Sequence, residues 1–129
     1  GFILPEFNMC RDGILTSGFI AAMTGKKIID DVIQFVSKYN QLRTKIDIES
    51  HLHDKTLGRL EQKLKGKFSD IVTIDGVKTI VDEDTWALVR KSNTEDIIRI
   101  SVESNDMRKA QQVQKEITNL VKQSHEQVR

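Results

Sequence analysis

Between residues 71 and 102 the chain carries four short runs rich in β-branched residues, and the connections between them are too short to hold a helix. The runs are 71–74, 77–81, 86–89 and 97–102, separated by Asp75-Gly76, by an acidic turn at 82–85 and by the polar segment 90–96. A two-residue Asp-Gly link between alternating runs is a strong hairpin signal, because both central positions take positive φ. Strands joined this tightly pair as antiparallel neighbours, whereas parallel pairing needs a crossover of a dozen or more residues. Four successive strands of one antiparallel sheet are therefore expected.

The flanking sequence supplies what covers that sheet. Leu42, Thr44, Ile46 and Ile48 alternate with polar residues, the period of a half-buried strand. Residues 51–66 turn to helical spacing through Leu57, Leu60 and Leu64, and a long helix starts after Asn105 with Met107, Ala110, Val113, Ile117 and Leu120 or Val121 on its apolar side. From residue 41 the order is strand, helix, four strands, helix, which gives an α+β fold with both helices on one face of the sheet. Two more helices precede it. One is capped by Asp12, carries Ile14, Leu15, Gly18, Phe19 and Ala22 on one side, and is read as ending at Gly25. The other runs to about Tyr39 with Ile29, Val32, Ile33 and Val36 as its stripe. Both need a partner surface.

Composition narrows function. Twenty basic residues against 19 acidic ones leave a formal charge of +1, which argues against an electrostatic grip on nucleic acid or on a membrane. No apolar stretch approaches the roughly 20 residues that span a bilayer. The single cysteine, Cys10, excludes an internal disulfide and is read as buried or as a spectator, and a cytoplasmic setting fits best. His51 and His53 lack a third ligand at useful spacing and read as a solvated helix entrance; no metal site is expected. Lys63, Lys65 and Lys67 read as the solvated end of a helix and its following turn.

The segment Arg90-Lys91-Ser92-Asn93-Thr94-Glu95 gathers a guanidinium, two hydroxyls and a carboxamide into one tight connection at a sheet edge. A phosphate offers only acceptors, and the planar fork of arginine can donate two bonds to it at once. Backbone N–H groups turned outward in such a loop add to an anion-binding concavity. The same residues also suit a plain polar turn, for backbone reasons alone.

This segment resembles the Arg-Pro-Ser-Gly/Asn-Thr-Glu-Pro signature in the last domain of the α-D-phosphohexomutases, the phosphomannomutase and phosphoglucomutase family. The neighbouring text is similar to that family too: Ile74-Asp75-Gly76-Val77-Lys78, Trp86-Ala87-Leu88-Val89-Arg90 and Ile98-Arg99-Ile100-Ser101-Val102-Glu103. Residues 1–7 and Cys10-Arg11-Asp12-Gly13-Ile14 resemble the end of the family's third domain, and Arg11 and Asp12 match a motif that begins a helix near its active cleft. Lys91 and Asp96 stand where proline is usual. Their presence implies a less stiff loop and a negative charge close to the bound anion.

The resemblance implies a TATA-binding-protein-like C-terminal domain over 41–129, with two helices packed on one side of the sheet, preceded over 1–40 by the tail of a third domain. It implies that Arg90, Ser92, Asn93 and Thr94 hold the non-reacting phosphate of a hexose phosphate or bisphosphate, with Lys91 and Arg99 as further candidates. Arg99 reads equally as a solvent-facing strand residue, and Glu95 as an organiser of the loop. The family's phosphoserine loop, its magnesium loop and its sugar-reading loop have no counterpart in this sequence, and Gly1 falls just beyond where the last would lie. The implied function is the C-terminal portion of an isomerase that moves a phosphoryl group between C1 and C6 of mannose or glucose phosphates. Mg2+ would then bind elsewhere in the full-length enzyme, and this chain alone would be inactive. It would partner the N-terminal domains of the same enzyme and self-associate through the apolar faces of residues 1–40 as a homodimer. The rival is a stand-alone phospho-ligand or protein-interaction module without catalysis; nucleic-acid binding, suggested by the sheet alone, is disfavoured by the charge balance.

Overall fold

The computed structural model describes residues 2–24 and 28–129. They fall into two compact units, Gly1–Lys38 and Tyr39–Arg129.

In the first unit a turn closes where the N–H groups of Phe7 and Asn8 both donate to the Leu4 carbonyl at 2.9 Å. Helix α1 (Gly13–Met23) follows. The first N–H groups of any helix lack intrahelical partners, and Asp12 meets one of them: its carboxylate accepts from the Leu15 N–H at 2.8 Å. The Thr24 N–H donates back to Ile20 and Ala21; Gly25, the expected stop, lies outside the described residues. Helix α2 (Ile28–Val36) ends three residues before Tyr39, because Tyr39 and Asn40 belong to the second unit, where Asn40 opens a strand. Neither helix buries a residue. Ile14, Val32, Ile33 and Phe35 are exposed, as is Cys10, so of its two readings the buried one does not hold. Phe7 and Phe19 meet edge to face, their ring centres 6.2 Å apart.

The second unit runs β1 (Asn40–Asp47), a 3-10 turn (Ser50–Leu52), α3 (His53–Lys65), β2 (Asp70–Val72), β3 (Val77–Asp82), β4 (Thr85–Lys91), β5 (Ile97–Ser104) and α4 (Met107–Glu126). Its five strands stand in the order β1-β5-β4-β3-β2, all antiparallel. The α+β fold with two helices on one sheet face is the observed architecture. Alternation sorts each strand's side chains between two faces. Ala87 and Val89 of β4 and Ile98, Ile100 and Val102 of β5 are buried in one cluster with Leu60 and Leu64 of α3 and Ala110, Ile117 and Val121 of α4. Each large aliphatic side chain buried this way contributes about 1.5–3 kcal/mol. Trp86, Leu88 and Arg90 of β4 and Arg99, Ser101 and Glu103 of β5 point to the other, open face.

Polar contacts fix the ends of the layers. Gln114 of α4 donates to the Thr44 hydroxyl at 2.6 Å, tying the helix to β1. Asp106 caps α4 by accepting from the Arg108 N–H at 2.8 Å, and Lys109 in its first turn pairs with Asp82 at the β3–β4 turn. His53 is buried with Nε2 2.7 Å from the Ile48 carbonyl. It therefore locks the start of α3 to the end of β1 instead of standing in solvent, and only His51 remains exposed. Among the described residues no helix is long and apolar enough to cross a membrane.

The β2–β3 hairpin departs from the expected two-residue link. That link would set Ile74 opposite Val77 and hence Val72 opposite Thr79, but the observed pairs are Val72 with Lys78 and Ile71 with Thr79. A one-residue slip exchanges the faces of every side chain, and here the observed register puts Ile71 on the helix side, packed against the core, with Val72 exposed. Burial of Ile71 thus overrides the preferred turn, and residues 73–76 form a longer loop. Gly76 sits in it with φ +91°, where a Cβ would come 2.3 Å from the Val89 carbonyl oxygen and 2.8 Å from Arg90 Cβ. Both the left-handed backbone and the close approach demand glycine. Gly76→Ala should therefore destabilise the chain by about 2–4 kcal/mol; urea unfolding with an unchanged midpoint would contradict this close packing.

Candidate functional site

The β4–β5 connection lies at the strand ends of a central hairpin, since β4 has β5 and β3 on its two sides. Arg90 and Lys91 are the last residues of β4, paired with Arg99 and Ile98. The loop is closed by its own backbone: the Ser92 N–H donates to the Ile97 carbonyl at 3.0 Å and the Ile97 N–H to Glu95 at 2.8 Å. The Ser92 N–H is therefore committed to the loop and is not turned outward as expected. The Thr94 N–H approaches the Ser92 hydroxyl at 3.5 Å.

Beside the loop lies a cleft of about 390 Å³ whose lining includes Arg90, Lys91, Ser92, Asn93, Thr94 and Arg99. All six residues singled out from the sequence thus reach one concavity. The far wall comes from the β2–β3 loop, through Ile74, Asp75 and Gly76, and from Asp54 and Leu57 of α3. Gly76 gives that wall its closeness, since any side chain there would strike β4 beside Arg90.

Each cation of the cleft is held by a carboxylate. Arg90 Nη1 is 3.2 Å from Asp75 Oδ2, Lys91 Nζ is 2.7 Å from Asp54 Oδ1, and Arg99 pairs with Glu95. All these side chains are well exposed to solvent, and pairs of that kind contribute roughly 0–1 kcal/mol. They orient the cations without neutralising the site irreversibly.

The two positions that replace proline tie the loop to α3 and to the 3-10 turn before it. Lys91 reaches Asp54, 37 residues away in sequence. Asp96 turns away from the cleft, and its Oδ1 accepts from both the hydroxyl and the N–H of Ser50, the latter at 2.9 Å, while its carbonyl accepts from the Ile48 N–H at 3.0 Å. Its charge serves the entrance of the 3-10 turn and is absent from the cleft lining, which corrects the expectation of repulsion toward a bound anion. Asp54 gave no signal in the sequence, because its approach to Lys91 exists only once α3 lies across the sheet. Asp75 and Gly76 were visible as a turn and as part of the family-like text, not as a wall of the cleft. Among the described residues no group of three or more histidine, cysteine, aspartate or glutamate side chains could hold a metal ion.

The hydroxyl and then the N–H of Ser50 hold the Asp96 carboxyl below its ordinary range, and Lys109 does the same for Asp82. A carboxyl depressed in the folded state stabilises the fold above its unfolded pKa, and that contribution is lost as pH falls through the folded value. The thermal midpoint should accordingly drop as pH is lowered from about 6 to about 2, and Asp96→Asn should flatten part of the decline. An acid dependence identical in the variant would contradict the Ser50 tie.

Residues 44–120, more than half of the chain, match the family described as phosphoglucomutase/phosphomannomutase, C-terminal domain. The chain is 35% identical over 124 residues to a probable phosphoglucosamine mutase of Methanobrevibacter smithii, covering 93% of this chain and 28% of that protein. It is equally similar, at 35% over 124 residues, to a probable phosphoglucosamine mutase of Pyrococcus horikoshii, covering 94% of this chain and 27% of the relative. A phosphoglucomutase/phosphomannomutase of Thermococcus kodakarensis is 37% identical over 115 residues, 87% of this chain and 25% of its own length. The chain thus spans about a quarter of the length of the curated relatives it matches. With the sheet, its two covering helices and the matched sequence in hand, the chain belongs to the phosphoglucomutase/phosphomannomutase family and carries its C-terminal domain.

Proposed function

We propose that this chain is the phosphate-holding C-terminal portion of a hexose phosphate mutase, and that the cleft beside residues 90–95 binds the phosphate that is not reacting. The observation that carries this reading is the convergence of Arg90, Lys91, Ser92, Asn93, Thr94 and Arg99 on one cleft. The Asp75 pair is exposed and takes one bond from Arg90, whereas a phosphate dianion can take two from the guanidinium fork. An incoming phosphate therefore displaces Asp75, and Arg90 donates two bonds where it had one. Ser92 and Thr94 donate from their hydroxyls and Asn93 from its amide. Lys91 keeps Asp54 and contributes charge at the rim.

Holding the remote phosphate positions the reacting end of the sugar, and binding energy spent there lowers the barrier at the other end. Phosphoryl transfer between C1 and C6 would take place on the remainder of the full-length enzyme, where Mg2+ supplies charge neutralisation. Two of the relatives quoted are named as phosphoglucosamine mutases and one as phosphoglucomutase/phosphomannomutase. The sugar is thus taken to be a hexose phosphate, with an amino sugar included alongside glucose and mannose. The exposed apolar residues of the first unit, among them Ile14, Val32, Ile33 and Phe35, would be covered by those other domains.

Titration of glucose 1,6-bisphosphate into the chain, followed by backbone amide shifts, should give changes centred on residues 90–95. Arg90→Ala should weaken the response about tenfold or more, and Ser92→Ala by roughly three- to tenfold. No local response at millimolar ligand would contradict the reading. The exposed apolar residues of the first unit should also make the chain self-associate, and a strictly monomeric mass by light scattering would count against that.

A further inference from the structure

The two edges of the sheet are guarded unequally. An edge strand presents a row of unpaired N–H and C=O groups, and folds blunt it by shortness, proline, bulges or charge. At one edge β2 is only three residues long. At the other, β1 runs for eight residues without proline, and its pairing with β5 keeps one register from end to end. Backbone groups of an antiparallel strand bond alternately to one side and to the other. One step beyond that register the Ile48 N–H donates to the Asp96 carbonyl at 3.0 Å. Leu42, Thr44 and Ile46 therefore bond to β5, while Gln41, Arg43, Lys45 and Asp47 turn their backbone groups to the free edge. Among the described residues no backbone bond outside the sheet meets these four, and their side chains are exposed.

Charge decides what this edge accepts. In the fullest antiparallel pairings of β1 with itself, Arg43 falls opposite either Arg43 or Lys45 of the copy, and like charges directly opposite destabilise a sheet. A second copy is thus refused. Neither cation has a carboxylate partner among the described residues; Arg43 Nη2 donates only to the neutral Gln41 amide oxygen, at 2.6 Å. The depression of about 430 Å³ on the open face beside them has Arg43 and Lys45 in its lining and no carboxylate. On the opposite face Leu42 and Ile46 are partly buried against the core. We infer that β1 is a docking edge for an extended acidic segment of another protein. The segment adds as a further antiparallel strand, with carboxylates opposite Arg43 and Lys45 and apolar residues between them on the side of Leu42 and Ile46. In strand addition of this kind main-chain bonds supply affinity and alternate side chains supply specificity. Because β5 separates β1 from β4 and Arg90, the inference stands independently of phosphate binding in the cleft.

The probe is a capped peptide, Lys-Val-Glu-Val-Glu-Val-Gln, whose antiparallel register sets its lysine opposite Asp47 and its glutamates opposite Lys45 and Arg43. Titrated into the chain, it should shift the amides of Gln41, Arg43, Lys45 and Asp47 and slow their hydrogen exchange. The amides of Leu42, Thr44 and Ile46, already bonded to β5, should change little. Lys45→Gln should weaken the peptide by roughly two- to fivefold. N-methylation of the two glutamates blocks the N–H groups that face β1 and should abolish the response with this chain unaltered. Silence of the four outward amides at millimolar peptide overturns the inference. Equal binding of the N-methylated peptide overturns strand addition, leaving a mere attraction of charge. Equal binding of a peptide with lysines in place of the glutamates, or unchanged affinity in Lys45→Gln, overturns the acidic partner. Slow exchange of the outward amides in the free chain that fades on dilution overturns it in favour of a second copy.

Discussion

Between β4 and β5, Val89 lies opposite Ile100 and Arg90 opposite Arg99, and a slip of one residue would set Val89 opposite Arg99 or Ser101 and Arg90 opposite Ile98 or Ile100. One strand would then turn its aliphatic side chains to solvent and a guanidinium into the core, where an unpaired charge costs several kcal/mol. Burial of Ile98, Ile100 and Val102 under α3 and α4 thus fixes where Arg90 and Arg99 point. The same register closes the loop through the Ser92 to Ile97 hydrogen bond. Hydrophobic packing on one face is what places the donors at the end and on the other face.

Around that hairpin the remaining elements act as braces. Gly76 lets the β2–β3 loop press against the β4 backbone beside Arg90, which brings Asp75 within reach of the guanidinium. On the opposite side His53 ties α3 to β1, and Asp96 and Lys91 tie the loop to the 3-10 turn and to α3. The family signature carries proline at positions 91 and 96, where local stiffness resides in the residue itself. Here the same two positions reach across 37 and 46 residues for partners. The loop is held by tertiary contacts, so its order depends on the packing of the whole domain.

Most of this architecture was legible in the sequence because strand alternation and tight turns are local properties. Leu42, Thr44 and Ile46 marked β1, and the segment around Arg90 announced its chemistry through residue types alone. Three features were not legible. The β2–β3 register turned on the burial of Ile71, a tertiary energy that outweighs the Asp-Gly turn preference. The burial of His53 depended on a carbonyl five residues away, presented by the end of a strand. The direction of Asp96 and the approach of Asp54 were set by the docking of α3, which no spacing along the chain encodes.

On the function proposed above, the Asp75 carboxylate holds the place at Arg90 that a bound phosphate takes. The most direct measurement is a crystal structure of the chain soaked in tungstate, a heavy tetrahedral oxyanion located by its anomalous scattering. An anion is expected against Arg90, Ser92 and Thr94, with the guanidinium released from Asp75. An unoccupied cleft with the Arg90 to Asp75 pair intact, at tungstate concentrations that fill other cationic surfaces of the same crystal, would contradict it.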